Sequence, residues 1–285
     1  MRFATYRHDQ HVSFGAVAGE YIHDLATSEV ATLRAALEVW GMAGLQQRAA
    51  EAQASFPLST IEFLPPIPDP GKILCVGVNY RRHAAEAGLG VPDFPALFVR
   101  FPGAQVGHGQ AVWRPRRSDK FDYEAELAVV IGRRARHVDE RQAMGSIAGY
   151  CCFAENSVRD FQRHSTQATA GKNFQASGAF GPWITAAAGV NDPFCLEVIG
   201  RLNGEEVQRD RVANMIFPIP RLIAYISAFT ELLPGDVIVT GTPAGVGFAR
   251  KPPVYLTPGD TFEVEIEGVG LLRNPVVDEP SIPID

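Results

Sequence analysis

The sequence predicts a strand-dominated α+β protein, an antiparallel sandwich or roll preceded by a small N-terminal α/β unit. Short apolar segments with alternating side chains recur from residue 73 towards the C-terminus. Among them lies one long helical pattern, Ile216–Leu233. A proline cluster separates this region from an Ala- and Leu-rich start, so we expect a small domain over residues 1–68 and a catalytic domain over 69–285.

The N-terminal unit is expected to combine a small sheet with two helices. Phe3–Tyr6 and Phe14–Leu25 alternate in the manner of a hairpin or meander. Ala31–Trp40 and Leu45–Ala54 are rich in Ala, Leu, Gln and Glu, which favours two short helices interrupted at the glycines between them. The prolines of the linker that follows are Pro57, Pro65, Pro66, Pro68 and Pro70.

The larger unit contains most of the predicted strands. The best candidates are Ile73–Gly77, Ala96–Arg100, Glu124–Ile131, Pro182–Thr185, Leu196–Leu202, Asp236–Thr240 and Thr261–Glu267. Pro-Gly-Asp precedes or opens the last two of these strands and is typical of type II turns. Ile216–Leu233 has apolar residues at helical spacing, which predicts a single helix packed on the core.

Composition and charge limit the classes of function. The chain has 285 residues, 46% of them hydrophobic and 20% charged, with a net charge of −6. This acidic balance disfavours nucleic acid and anionic membranes as partners. No apolar run is long enough to span a bilayer, and the first residues lack the apolar core of a signal peptide. The four cysteines show no C-x-x-C spacing, so reduced thiols and a cytoplasmic location are expected.

Two carboxylates share one face of the predicted strand Glu124–Ile131. Because side chains alternate along a strand, Glu124 and Glu126 point the same way, roughly 7 Å apart, and Asp122 shares that face. Neighbouring like charges are unfavourable unless water or a cation compensates them. A hard divalent cation such as Mg²⁺ takes oxygen ligands, so this strand predicts a metal site. A solvated edge strand with a charged face is the alternative.

Two other segments carry residue types suited to catalysis. His83 and Glu86 are three residues apart, so on a short helix the carboxylate would orient the imidazole as a general base. Lys172 is one of only four lysines among 26 basic residues, which favours a role for its compact ammonium, such as stabilising an enolate or carboxylate oxygen. A solvated helix face and a solvated loop are the respective alternatives.

The glycine-rich segment Val239–Gly247 is not a phosphate loop, because it lacks the Gly-Lys-Ser/Thr ending and no helical pattern follows. Its backbone N–H groups, with the hydroxyl of Thr242, are suited to bind a small carboxylate. Tyr80, Arg81 and Gln162 are weaker candidates for contacts with a substrate.

The ordered set of motifs resembles the fumarylacetoacetate hydrolase family. Within that family, it is most similar to a bacterial acylpyruvase or 2,4-diketo acid hydrolase. The resemblance covers roughly Lys72 to the C-terminus, and five motifs in the family's order make it specific. They are Asn79-Tyr80-Arg81-Arg82-His83, Asp122-Tyr123-Glu124-Ala125-Glu126, Ser157-Val158-Arg159-Asp160, Gly171-Lys172-Asn173-Phe174 and Gly241-Thr242-Pro243-Ala244-Gly245.

This resemblance implies a mixed β-sandwich roll that is usually a homodimer. It also implies Glu155 as the third metal ligand, at a position where the family usually has Asp; Glu reaches one methylene further. The segment around His83 resembles a lid that orders over bound ligand. Arg100 and Phe101 stand where the family more often has Lys-Pro.

The implied activity is that of a Mg²⁺-dependent hydrolase, with Mn²⁺ or Ca²⁺ as substitutes, that cleaves a carbon–carbon bond in a 2,4-dioxo acid resembling an acylpyruvate. Pyruvate or a related 2-oxo acid would be released. The expected metal ligands are Glu124, Glu126 and Glu155; the catalytic residues are His83, Glu86 and Lys172; the substrate contacts are Tyr80, Arg81, Gln162 and Thr242.

Other functions share the same site or dispense with catalysis. A 2-oxo acid decarboxylase, a hydratase of 2-oxo-alkenoates and an oxaloacetate tautomerase would all form an enolate there. A catalytically silent binding protein is a remoter alternative, because a mere binder needs no base such as His83. A structural scaffold is remoter still, since it needs no converging carboxylates. The acyl side of the substrate would be set by Val91–Pro95 and Gln175–Phe180, which carry no recognisable motif.

Overall fold

The computed structural model describes residues 1–52 and 55–281. Its strands are β1 Arg2–His8, β2 His11–Ala18, β3 Tyr21–Asp24, β4 Ser55–Pro57, β5 Glu62–Phe63, β6 Ile73–Gly77, β7 Ala96–Val99, β8 Gln105–Val106, β9 Val112–Arg114, β10 Phe121–Asp122, β11 Ala125–Ile131, β12 Ile147–Ala154, β13 Ser157–Val158, β14 Gly178–Ala186, β15 Glu197–Leu202, β16 Glu205–Arg211, β17 Val237–Val239, β18 Thr261–Ile266 and β19 Gly270–Asp278.

The α-helices are α1 Leu33–Val39, α2 Gly41–Glu51, α3 Arg81–Glu86, α4 Glu140–Ala143, α5 Arg159–Gln162, α6 Thr169–Lys172 and α7 Ile219–Phe229. Short 3₁₀ helices lie at Leu58–Thr60, Pro102–Ala104, Met144–Ser146, Ala187–Gly189, Pro193–Cys195, Val212–Asn214 and Gly247–Ala249. Within the described ranges, no helix is long and apolar enough to cross a membrane.

The strands form two large sheets that pack against each other. The larger sheet runs β4-β3-β2-β1-β14-β12-β11-β17-β6-β7, with β5 beside β1 and β8 beside β14; the second runs β16-β15-β18-β19-β9. Most neighbours are antiparallel, but β17–β6, β14–β8 and β19–β9 are parallel. The strand-dominated α+β prediction is therefore confirmed, with the mixed sheet that the family resemblance implied rather than a purely antiparallel one.

The central strand β11 is buried on both faces, which explains its nearly unbroken apolar run. Leu127, Val129 and Ile131 contribute to the core shared with the second sheet. Ala128 and Val130 face the other way, into a core that includes residues of β1 and α1. Because side chains alternate along a strand, Glu126 lies on the same face as Ala128 and Val130.

The N-terminal strands extend the larger sheet. β1 pairs with β14, with Arg2 opposite Thr185. The predicted helices are present: α1 is capped by Thr32, and α2 begins at Gly41, four residues before the predicted start, and continues through Gly44. Residues 53–54, the predicted end of the second helix, lie outside the described residues. The division into domains at residue 68 stays a prediction.

The predicted strands and helix of the larger unit are present with small differences at their ends; α7, for example, is shorter than the predicted Ile216–Leu233. The sequence patterns did not single out β12, β16 and β19. β12 is entirely apolar and alternates poorly, whereas β16 is largely charged and is held as a strand by pairing with β15. Cross-strand pairing overrides local pattern at such strands.

Candidate metal centre and catalytic site

Three carboxylates converge where β11 begins and β12 ends. Glu124 precedes β11, Glu126 is its second residue, and Glu155 follows β12. The strands pair with Ala125 opposite Ala154, and the Glu155 N–H donates to the Glu124 carbonyl oxygen at 2.9 Å. One oxygen from each carboxylate lies within 4.8 Å of the other two, and all three side chains are buried. The structure thus brings the three predicted metal ligands together.

Buried cations surround this carboxylate cluster unevenly. Lys172, at the end of α6, is 2% exposed, and its ammonium contacts both oxygens of Glu124 at 3.1 Å and Oε2 of Glu155. Arg159, at the start of α5, places Nη1 2.6 Å from Glu124 Oε1. Glu126 accepts a hydrogen bond from a backbone N–H instead. Two of the three acids are therefore paired directly with cations.

The pKa values of the acids depend on burial as well as on this pairing: burial raises the pKa of Glu155 although Lys172 and Arg100 lower it. Burial alone would raise the pKa of Glu124, but Lys172 and Arg159 hold it far below its usual range. Burial raises the pKa of Glu126 well above its usual range, and the charges of Glu155 and Glu124 raise it further. A buried carboxylate beside two others needs more positive charge. Three hard oxygen donors, one of them short of compensating charge, fit a divalent cation.

A histidine–carboxylate pair lies in α3 as predicted. His83 is 7% exposed, and its Nδ1 lies 2.8 Å from Glu86 Oε1. The Glu86 carboxylate also accepts two contacts from the Gly245 N–H, at 2.9 and 3.1 Å. This contact needs glycine, because Gly245 has φ of +109° and a Cβ there would lie 2.1 Å from the Val207 carbonyl oxygen. With Nδ1 held by Glu86, Nε2 is the nitrogen left for proton transfer.

The glycine-rich loop after β17 binds carboxylates of the protein itself. Besides the contact of Gly245 with Glu86, the Gly241 N–H donates to Glu126, and the Gly247 N–H donates to Asp122 at 2.7 Å. From the sequence, these amides were expected to be suited to bind a small carboxylate. In the structure they instead fix an acid of the cluster and the acid that orients His83.

The predicted substrate contacts lie in unequal surroundings. The Tyr80 side chain is fully buried, and its hydroxyl has no hydrogen-bond partner among the described residues. Arg81 is exposed on α3. Gln162 Oε1 accepts from Arg159 Nη1 at 3.1 Å, beside the cluster. The hydroxyl of Thr242 donates to the Ala125 carbonyl at 3.0 Å, so its one hydrogen is committed to the protein. Their roles stay proposals.

Asp122 is not part of the cluster, contrary to the expectation that it shares the face of Glu124 and Glu126. It lies in β10, which pairs with β13 and not with the sheet of β11. Its carboxylate accepts from Arg159 Nε at 2.8 Å and from the N–H groups of the loop after β17. Asp122 therefore orients Arg159, a role that alternation along one strand could not indicate.

Arg100 and Arg159 contribute to the site although no role was predicted for either. Both are buried, at 2% and 5% exposure. Arg100 forms an ion pair of 2.7 Å with Glu155. The available signal was their position: Arg100 is the last residue of a predicted strand, and Arg159 lies within a family motif.

Comparison with known proteins identifies the family. Residues 72–277 match the model of the fumarylacetoacetate (FAA) hydrolase C-terminal domain. The chain is 42% identical over 234 residues to oxaloacetate tautomerase FAHD2A, mitochondrial, of Homo sapiens, covering 81% of this chain and 74% of that protein. It is 37% identical over 280 residues to the oxaloacetate tautomerase of Rattus norvegicus, covering 96% and 90%.

Solved structures give the same assignment. Maleylpyruvate hydrolase from Sphingobium sp. SYK-6, in complex with manganese(II) ion and pyruvate, has a TM-score of 0.81 at 28% identity, with 98% of this chain and 100% of that chain covered. The 5-carboxymethyl-2-hydroxymuconate delta-isomerase from Mycobacterium smegmatis has a TM-score of 0.79 at 31% identity, over 98% and 100%. The chain belongs to the fumarylacetoacetate hydrolase family.

Proposed function

We propose that this protein is a divalent-metal-dependent enzyme that converts a 2-oxo acid through an enolate. The observation that carries the proposal is the burial, in one site, of three converging carboxylates and the Lys172 ammonium, together with a buried, oriented histidine. Glu124, Glu126 and Glu155 would hold the cation. A bound divalent cation would supply Lewis-acid polarisation of the substrate's 2-oxo group.

Residues of the chain would supply proton transfer, charge stabilisation and substrate binding. His83, oriented by Glu86, accepts a proton through Nε2. Lys172 places a positive charge where negative charge develops on an enolate oxygen. Arg159 at the start of α5 contacts Glu124, and Gln162 at its end contacts Arg159, so both are placed to contact a carboxylate of the substrate. Burial of the site lowers the effective dielectric constant around it and so strengthens each of these charge interactions.

The first candidate reaction is keto–enol tautomerisation of an oxaloacetate-like acid. His83 removes a proton from carbon 3, the electron pair forms the C2–C3 double bond, and the 2-oxo oxygen is protonated. The similarity to the oxaloacetate tautomerases favours this reaction.

The second candidate is the hydrolysis expected from the sequence. His83 takes a proton from water, the hydroxide attacks the 4-carbonyl of a 2,4-dioxo acid, and the C3–C4 bond breaks. The products are a carboxylic acid and the enolate of pyruvate, which is then protonated. The similarity to a maleylpyruvate hydrolase whose structure holds manganese and pyruvate favours this reaction.

We further propose Mg²⁺ as the working cation, with Mn²⁺ or Ca²⁺ as substitutes, because the donors are hard oxygens. A homodimer in the cytoplasm is proposed from the family resemblance, the acidic composition and the expected reduced thiols. Light scattering of the purified protein tests the dimer.

One substrate panel separates the two candidates. Purified enzyme with Mg²⁺ is given oxaloacetate, with decay of the enol followed by absorbance, and a series of acylpyruvates, with pyruvate release followed in a coupled assay. Faster enol decay without pyruvate release supports tautomerisation, and pyruvate release from acylpyruvates supports hydrolysis. Glu126→Gln is the matched control for metal-dependent turnover. Absence of both reactions, with Mg²⁺ shown to be bound, would contradict the proposed function.

A further inference from the structure

Arg100 is a buried cation to which the proposed chemistry gives no role. It follows β7, and both it and its partner Glu155 have fully buried side chains. Its Nη1 donates to Glu155 Oε1 at 2.7 Å and to the Asn156 carbonyl oxygen at 2.9 Å, and its Nη2 donates to Ser177 Oγ at 3.0 Å. Both arms of the planar guanidinium are thus tied to groups around Glu155, which a lysine could not reproduce.

The surrounding chain leaves space for this guanidinium. A Cβ at Gly178 would lie 2.6 Å from Gln105 Oε1, 2.7 Å from Arg100 Nη2 and 2.9 Å from the Ala154 carbonyl oxygen. Any larger residue at position 178 would therefore displace the guanidinium or the backbone of β12. Ser177, the preceding residue, supplies the acceptor for the second arm. Consecutive residues thus make room for Arg100 and fix its orientation.

The two oxygens of Glu155 consequently have different surroundings. Oε1 is held by Arg100, whereas Oε2 contacts the Lys172 ammonium, which also contacts Glu124. Oε2 is therefore the oxygen that faces the carboxylate cluster. The backbone of Glu155 is fixed by its N–H bond to the Glu124 carbonyl. An aspartate there ends one methylene earlier and could not keep both contacts from the same backbone position.

We propose that Arg100 is a positioning residue that holds one oxygen of Glu155, so that only the other is presented to a divalent cation. This proposal rests on the metal site assigned above to Glu124, Glu126 and Glu155. A positioning role and a simple charge effect predict opposite changes in cation affinity when Arg100 is replaced by a neutral residue. Removing a nearby positive charge should tighten cation binding, whereas releasing Glu155 from its fixed orientation should weaken it.

The test is Mn²⁺ affinity measured by electron paramagnetic resonance on the full-length protein without substrate. Arg100→Met is expected to weaken Mn²⁺ binding roughly 10- to 100-fold, as loss of a partner that orients a metal ligand typically does. Arg100→Lys keeps the charge but loses the two-armed guanidinium, so this variant should bind Mn²⁺ with intermediate affinity. Lys72→Met is the matched control, because it breaks an ion pair with buried Asp236 that includes no member of the carboxylate cluster. It should lower the melting temperature without changing Mn²⁺ affinity.

Gly178→Ala crowds the Arg100 guanidinium without removing a charge, and it keeps the proposal testable if Arg100→Met does not fold. Gly178→Ala should weaken Mn²⁺ binding when it is the only substitution. When it is combined with Arg100→Lys or Arg100→Met, it should cause no further loss of affinity, because the interaction that it disturbs is already gone. Unchanged or tighter Mn²⁺ binding in the folded Arg100 variants would overturn the proposal. Failure of the wild type to bind Mn²⁺ would instead refute the metal site itself, so the two failures are distinguishable.

Discussion

Replacing Lys172 by methionine should separate stability, metal binding and catalysis, because this one ammonium contacts two acids of the cluster. Burial alone would lower the pKa of Lys172, but Glu124 and Glu155 raise it. A raised pKa in a cation means that its contribution to stability is fully present at neutral pH and is lost only at strongly alkaline pH. Its removal at pH 7 therefore removes the whole contribution.

The magnitude follows from burial. Breaking a buried ion pair by removing one partner costs about 3–5 kcal/mol. For a chain of 285 residues we expect a fall in melting temperature of roughly 5–8 °C when Lys172→Met is heated in chelator. A divalent cation should restore much of this loss, since it supplies the positive charge that Glu124 and Glu155 then lack. The gap between melting temperatures with and without Mn²⁺ should therefore be wider in the variant.

Metal binding and turnover should change in opposite directions. Without the ammonium, a divalent cation meets less repulsion, so Mn²⁺ affinity should rise, on the order of 10-fold. Turnover should fall roughly 100- to 1000-fold, because the group that offsets charge on the enolate oxygen is gone. This combination contrasts with Arg100→Met, for which affinity should fall.

Calorimetric or resonance titration with Mn²⁺, differential scanning fluorimetry and kinetic assay of Lys172→Met test these expectations, with Lys72→Met as control. Weaker Mn²⁺ binding with an unchanged melting temperature would show that Lys172 supports the metal ligands rather than competing with the cation. Wild-type turnover would remove its catalytic role.

Three further substitutions test the rest of the site. His83→Gln should lower kcat by roughly 100-fold while Mn²⁺ affinity stays that of the wild type, because the imidazole transfers a proton and binds no metal; a matching loss of affinity, by titration, would contradict that role. Glu126→Gln should instead weaken Mn²⁺ binding, since a neutral amide is a poorer ligand for a hard cation, and elemental analysis after dialysis would reveal retained metal if this is wrong. Glu155→Ala should impair Mn²⁺ affinity about as much as Glu126→Ala; normal affinity in titration would place Glu155 outside the metal shell.

Much of the architecture and two of the three converging acids, Glu124 and Glu126, followed from local pattern. The β11 run, the helical spacing of α7 and the i, i+3 relation of His83 and Glu86 depend on neighbours in the chain, so they are visible in the sequence. The prediction that Glu155 lies beside Glu124 depended on the family resemblance, because no local rule specifies which strands pair.

The contacts that hold the site could not be predicted in the same way. Arg100 reaches Glu155 across 55 residues, and the Gly245 N–H reaches Glu86 across 159. Asp122 was expected to lie beside the glutamates. It instead belongs to β10, which forms a two-stranded sheet with β13 apart from the larger sheet that contains β11. These partners are set by sheet order and loop conformation, to which spacing along a strand or helix is insensitive.

A crystal structure of the protein grown with Mn²⁺, with the ion located by anomalous scattering, would test the proposed metal centre most directly. We expect a single strong peak coordinated by one oxygen each of Glu124, Glu126 and Glu155, with Oε1 of Glu155 still held by Arg100. Manganese bound elsewhere, or a carboxylate cluster that stays closed around Lys172 at saturating Mn²⁺, would contradict the assignment of these acids as metal ligands.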